Sequence, residues 1–359
     1  MSASLQIDQA RRLFNQGKPE QARATLLRVL QRSPGDVAAN QAMALLLAGL
    51  GQHEQALFYV DRAIAAQPTF APLHMLRGTI LSNTKRVLEA IPSLGRAVAL
   101  EPGNAAAWAA LGTIQQGARR HADAEASFRR ATALEPASAE MAAGLASVLL
   151  ETGRPEEAVD LLRAAIERAG VRAGARALET LAFCLNYDHR ATPGQVFEAH
   201  RAFGRILERA GTGEAGTDAR AATPGPGLPT DRRIRIGYLS PDLRSHAVST
   251  FFAPVLAHHD RAAFEVFVYH TSPVVDETTG RLRASTEHWF GSRLVPDGEL
   301  LDRLRADRLD VLVDLSGLTS QHRLQVMAQR PASVQASMIG YPNTTGLTSI
   351  DWLVVDPHV

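Results

Sequence analysis

A chain of 359 residues, 45% hydrophobic and 21% charged, exceeds what one hydrophobic core organises and has the balance of a globular rather than a disordered protein. Its net charge of +1, from 38 Lys and Arg against 37 Asp and Glu, lacks the basic excess that phosphate-backbone binding requires, so nucleic acid is not an expected partner. Cys184 is the single cysteine, which excludes a disulfide framework and a cysteine metal cluster and leaves a buried core thiol as the expectation. The opening MSASLQIDQARRLF has no apolar core of signal-peptide length and no run of about 18 apolar residues follows, so a cytoplasmic protein without a membrane partner is expected.

The first half repeats. Pro34, Pro68, Pro102 and Pro136 are 34 residues apart, and Ala22, Ala56, Ala90, Ala124 and Ala158 keep the same interval. Ala44, Gly78, Gly112 and Ala146 are small in the same register, while Leu26, Val60, Leu94, Phe128 and Leu162 are large and apolar. This is the tetratricopeptide pattern of two antiparallel helices per unit: a small residue permits close approach, and the proline ends the second helix. Gly17, Gly51 and Gly153 mark turns between paired helices. About five repeats over residues 3–172 are expected, then a helical cap over 173–210. Such an array buries its core by stacking and offers a groove to a protein or peptide.

Residues 211–231, GTGEAGTDARAATPGPGLPTD, are rich in Gly, Thr, Ala and Pro and lack an apolar period, as a linker does. Beyond them RIRIGYL, FEVFVYH, LDVLVDL, SVQASMIG and WLVVD alternate with helical stretches, which predicts an α/β Rossmann-like lobe with a parallel sheet over 232–359. Ligands of such sheets sit beyond the carboxyl ends of the strands. The segments to weigh are therefore SPDLRSHAVSTFF, SGLTSQHRL and GYPNTTGL, which follow three of these strands. The first turn, GYLSPD, is not a dinucleotide fingerprint, and no phosphate loop, zinc-binding helix or nucleophile elbow is present.

These loops resemble the SPINDLY / O-GlcNAc transferase family, protein glycosyltransferases of the glycosyltransferase-B fold preceded by tetratricopeptide repeats. The resemblance covers about Arg233 to Val359 and rests on IRIGYLSPDLRSHAV, LVDLSGLT, RPASVQ and GYPNTTGL in that order. It implies metal-independent transfer, with inversion and no cofactor, of GlcNAc or fucose from the co-substrate UDP-GlcNAc or GDP-fucose to Ser or Thr of a protein acceptor. His246 matches the family's active-site histidine, where an imidazole could orient the incoming hydroxyl or accept its proton, with Asp242 as its possible orienter. Ser316, Gly317, Thr319, Tyr341, Pro342, Asn343, Thr344, Thr345 and Gly346 are the expected lining of the substrate cleft. Leu318 stands where relatives commonly carry histidine, and Ala42, Leu76, Ala110 and Gly144 stand where the animal enzymes carry an asparagine ladder. The family's second lobe, with most nucleotide contacts and the lysine that neutralises the leaving diphosphate, would lie past Val359. A non-catalytic module that binds proteins through its repeats is the alternative.

Overall fold

The computed structural model describes residues 2–212, 231–291 and 294–355. It divides into two compact units, one up to Ala177 and the other from Leu178 onward. No described helix is long and apolar enough to cross a membrane.

The first unit consists of five helix pairs. They are α1 (Ala3–Asn15) with α2 (Pro19–Arg32), α3 (Val37–Gly49) with α4 (His53–Ala66), α5 (Ala71–Asn83) with α6 (Val87–Leu100), α7 (Ala105–Gly117) with α8 (His121–Leu134), and α9 (Ala139–Glu151) with α10 (Pro155–Ala169). Between pairs, each repeating proline is followed two residues later by a cap position. Asp36, Asn104 and Ser138 there accept the backbone N–H of Ala39, Ala107 and Met141, which satisfies one otherwise orphaned donor of the next helix. Within pairs, Gly17, Gly51 and Gly153 take φ of +72°, +74° and +77°, and the equivalent Lys85 and Arg119 take +60° and +57°. The small residues act by close approach. A Cβ on Gly78 would lie 2.6 Å from Leu94, and one on Gly112 would lie 2.9 Å from the ring of Phe128. The opposite edge of that ring lies against Gly144 of the next repeat, so one side chain fills space in two units.

In the second unit, α11 (Ala175–Leu185), most of which belongs to it, and α12 (Pro193–Thr212) precede a parallel sheet in the order β3-β2-β1-β4-β5-β6. The strands are β1 (Ile234–Ser240), β2 (Phe264–His270), β3 (His288–Gly291), β4 (Val311–Asp314), β5 (Val334–Met338) and β6 (Trp352–Val354). Helices α13 (Ala247–Ala257), α14 (Glu277–Ala284), α15 (Asp297–Asp307) and the single turn α16 (Leu324–Met327) lie between them. One face packs Tyr238, Val266, Val268 and Val313 against Val248, Phe252 and Leu256 of α13 and Leu282 of α14. On the other face Gly237 admits Leu309, Tyr269 and Leu312 to the backbone, and Tyr269 donates to Asp307 at 2.6 Å. Sequential order reverses between β1 and β4, which opens a crevice at their carboxyl ends.

One expectation is corrected here, and one element is new. The stretch 173–210, read as a cap on the repeats, clusters from Leu178 onward with the α/β unit. The cause is packing: α12 buries Phe203 and Leu207, sets Phe203 beside His322 at 6.1 Å between ring centroids, and brings Gly204 onto the backbone of Gly346. Strand β3, of four residues, was not expected; its His288 stacks on Phe267 with centroids 4.3 Å apart. Most of the expected linker, 213–230, lies outside the described residues. Cys184 is buried as expected, and burial pushes its thiol up to about 12.

Candidate functional site

Beyond β1 the chain passes through Asp242 to His246, the cap of α13. The Val248 N–H donates to His246 Nδ1 at 3.3 Å. A neutral imidazole that accepts at Nδ1 carries its proton on Nε2, so the exposed ring presents a donor to the solvent side. Asp242 does not hold this ring: among the described residues it makes no hydrogen bond to His246. Asp242 lies four residues before His246, but α13 begins only at Ala247, so no helical turn brings the two together, and the buried Asp242 carboxylate instead accepts from Arg244 at 3.3 Å. The loop is held from α14. Asp276, which caps that helix through Thr279, also accepts the Ser245 N–H at 2.6 Å, and these backbone donors hold its carboxyl below the usual range.

Beyond β4 the buried Asp314 carboxylate accepts the N–H of Ser316 at 3.2 Å, the N–H of Gly317 at 2.7 Å and the Ser337 hydroxyl at 3.1 Å. Burial outweighs these donors and pushes its pKa up to about 6. The turn they hold gives Gly317 a φ of +56° and seats it on Tyr341, where a Cβ would collide with the tyrosine side chain. The Thr319 hydroxyl donates to the Ser316 carbonyl at 2.8 Å. The Ser316 hydroxyl is buried and unpartnered among the described residues.

Beyond β5 the polar loop turns towards α11 and α12. Asn343 Nδ2 donates to Asn186 Oδ1 at 2.9 Å, and Asn186 Nδ2 donates to the Tyr341 hydroxyl at 2.6 Å. His200 Nδ1 lies 2.7 Å from the Val196 carbonyl and must donate to it, so its Nε2 accepts from Tyr341 at 2.8 Å. Gly346, with φ of +76°, lies on the His200 backbone and offers its carbonyl to Arg201. The side chains of Thr344 and Thr345 accept the backbone N–H of Gly346 and Leu347, closing the turn on itself. Tyr341 and Pro342 also line an apolar cavity of about 500 Å³ with Phe251, Met338 and Val354. His246 lines a different cavity, of about 530 Å³, between α13 and α14.

Residues 224–359 match the family described as glycosyl transferase family 41, and residues 6–80 and 110–174 match tetratricopeptide-repeat families. Over 176 residues, 48% of this chain, it is 35% identical to proteins of Solanum lycopersicum and Arabidopsis thaliana, each described as a probable UDP-N-acetylglucosamine–peptide N-acetylglucosaminyltransferase SPINDLY. A solved O-GlcNAc transferase variant from Thermobaculum terrenum is 32% identical with a TM-score of 0.64 over 80% of this chain. Residues 224–359 belong to glycosyl transferase family 41. The match spans 18% of the length of each plant relative and 54% of the solved chain.

Within this family 41 region the expected site residues form three loops at the carboxyl ends of β1, β4 and β5. The Gly317–Tyr341 contact joins the second and third loops, while His246 opens on its own side of α13. Sequence reasoning missed Arg244, Asp276, Arg281 and Asp314. Asp314 had a signal of a kind, a carboxylate at the end of an apolar strand; Asp276 depends on Ser245, 31 residues away, and Arg244 and Arg281 are brought to one cavity only by the packing of α13 on α14.

Proposed function

We propose that this chain acts in a protein O-glycosyltransferase that moves GlcNAc or fucose from a nucleotide sugar to a Ser or Thr hydroxyl, with the repeats recruiting the polypeptide acceptor. The observation that carries the reading is His246, exposed at the end of β1 within a family 41 region that follows five helix pairs. The plant relatives' descriptions name UDP-N-acetylglucosamine and a peptide, which supports the same chemistry here. In a direct, inverting displacement the hydroxyl oxygen bonds the anomeric carbon as the bond to the nucleotide diphosphate breaks, and the hydroxyl proton must leave. His246 with its Nδ1 on the Val248 N–H offers Nε2–H, which orients the hydroxyl oxygen; accepting the proton requires the other tautomer and loss of the cap bond. The proposal requires neither a metal nor a cofactor.

The test is incorporation of radiolabelled sugar, from UDP-GlcNAc and separately from GDP-fucose, into acceptor polypeptides. His246→Ala is expected to lower incorporation by about 100-fold or more while leaving the fold and repeat-mediated peptide binding intact. Undiminished transfer by that variant would remove His246 from the site. Label in small molecules alone would remove the polypeptide acceptor, and peptide binding with no transfer from either donor would favour the interaction module.

A further inference from the structure

The cavity that holds His246 is a groove along two helices. It starts at Arg244 and His246, passes Thr250 and Arg281, and reaches Ala257 and Ser285 at the far ends of α13 and α14. Alongside α13, 11 residues long, it extends roughly 16 Å, the length of about five extended residues. A compact diphosphate needs no such length; a polypeptide strand does. Pro254 has no N–H, so the Thr250 carbonyl loses its partner one turn ahead and is left as an acceptor on a groove-lining residue.

Among the described residues, the groove is lined by two arginines and by no carboxylate. Arg281 makes one hydrogen bond, to the Thr278 hydroxyl at 3.1 Å, and has no carboxylate partner among the described residues. Arg244 is paired with Asp242, yet its Nε is buried and unpartnered. Of the carboxylates at the start of α14, Asp276 is occupied by the backbone of Ser245 and Thr279, and Glu277, four residues before Arg281, makes no ion pair with it.

We propose that this groove is the subsite for acceptor residues flanking the reacting Ser or Thr, and that Arg281, with Arg244, binds an anionic side chain there, carboxylate or phosphate. The assignment rests on the polypeptide-acceptor reading above. Its test is fluorescence anisotropy with fluorescein-labelled alanine-rich peptides that carry one serine, flanked on either side by glutamate, phosphoserine or glutamine. For the unaltered protein, the glutamate or phosphoserine peptides are expected to bind about tenfold more tightly than the glutamine peptide. Arg281→Gln is expected to abolish the difference, and Arg281→Glu to transfer the preference to a lysine peptide. Discrimination of phosphoserine alone would identify a phosphorylated flank; of both, any acidic one. Equal affinity for the glutamate, phosphoserine and glutamine peptides, or a preference that survives both Arg281 variants, overturns the proposal. Arg281 is exposed, so neither variant removes a core contact. Anisotropy reads binding whether or not sugar moves. Discrimination without transfer would sink the transferase reading alone, and transfer without discrimination would sink the subsite.

Discussion

Lys85 and Arg119 occupy a backbone region that costs an L-residue with a Cβ about 1–2 kcal/mol, where the equivalent turns use glycine. Replacing either by glycine relieves that cost but adds about 0.5–1 kcal/mol of chain entropy to be lost on folding. Lys85→Gly and Arg119→Gly are therefore each expected to stabilise the protein by about 0.5 kcal/mol, read as a higher denaturant midpoint. The spacing of Gly17, Gly51 and Gly153 made these turns readable, whereas a lysine and an arginine at the same register carry no mark of a left-handed backbone. Asp314 gives a prediction of another kind. Its folded pKa of about 6 lies above the unfolded value of about 3.9, so its favourable contribution is complete below the lower value and lost as pH rises through the upper one. Relative to the wild type, Asp314→Asn should gain stability as pH rises from 4 to 6; an unchanged difference in unfolding midpoint across that range would contradict it.

The docking of α12 depends on a hydrogen-bond series with one consistent direction: Asn343 to Asn186, Asn186 to Tyr341, Tyr341 to His200, His200 to the Val196 carbonyl. Tyr341→Phe removes a donor and an acceptor from its middle and leaves His200 Nε2 buried without a partner. A loss of about 1–3 kcal/mol is expected, measurable by chemical denaturation. None of this was visible in GYPNTTGL, whose turn residues read as cleft lining. The partners of Tyr341 lie 155 and 141 residues away, and only the folded chain brings them within reach. Strand β3 escaped for the opposite reason, a four-residue segment too short to show a period. The long strands and the helix pairs, whose apolar patterns are local, were readable throughout.

Across the chain, the described histidines whose ring pKa is lowered all belong to the second unit: His200, His259 and His270. Burial is the leading cause in each, and Arg261 adds to it at His259. The folded pKa of each lies below the unfolded value of about 6.5, so their contribution is intact above that value and lost as pH falls through the lowered one. Asp314 opposes this trend, one group against three. Acidification from pH 7 to pH 5 should therefore open the α/β unit before the repeats, seen as earlier loss of hydrogen-exchange protection in β1, β2 and α12 than in α3 to α9. Simultaneous loss in both units would contradict the assignment of acid sensitivity to these rings.

The ring of Phe128, lodged against both Gly112 and Gly144, has a consequence for how the repeat array comes apart. Where units touch only their neighbours, fraying is a boundary that advances joint by joint. A side chain seated across a joint makes that joint hard to cross, and Phe14 of the first repeat, against Gly49 of the second, does the same at the other end of the array. A boundary entering from the amino terminus would thus be held first between repeats one and two and again before the last two repeats, which would melt together as a cooperative pair.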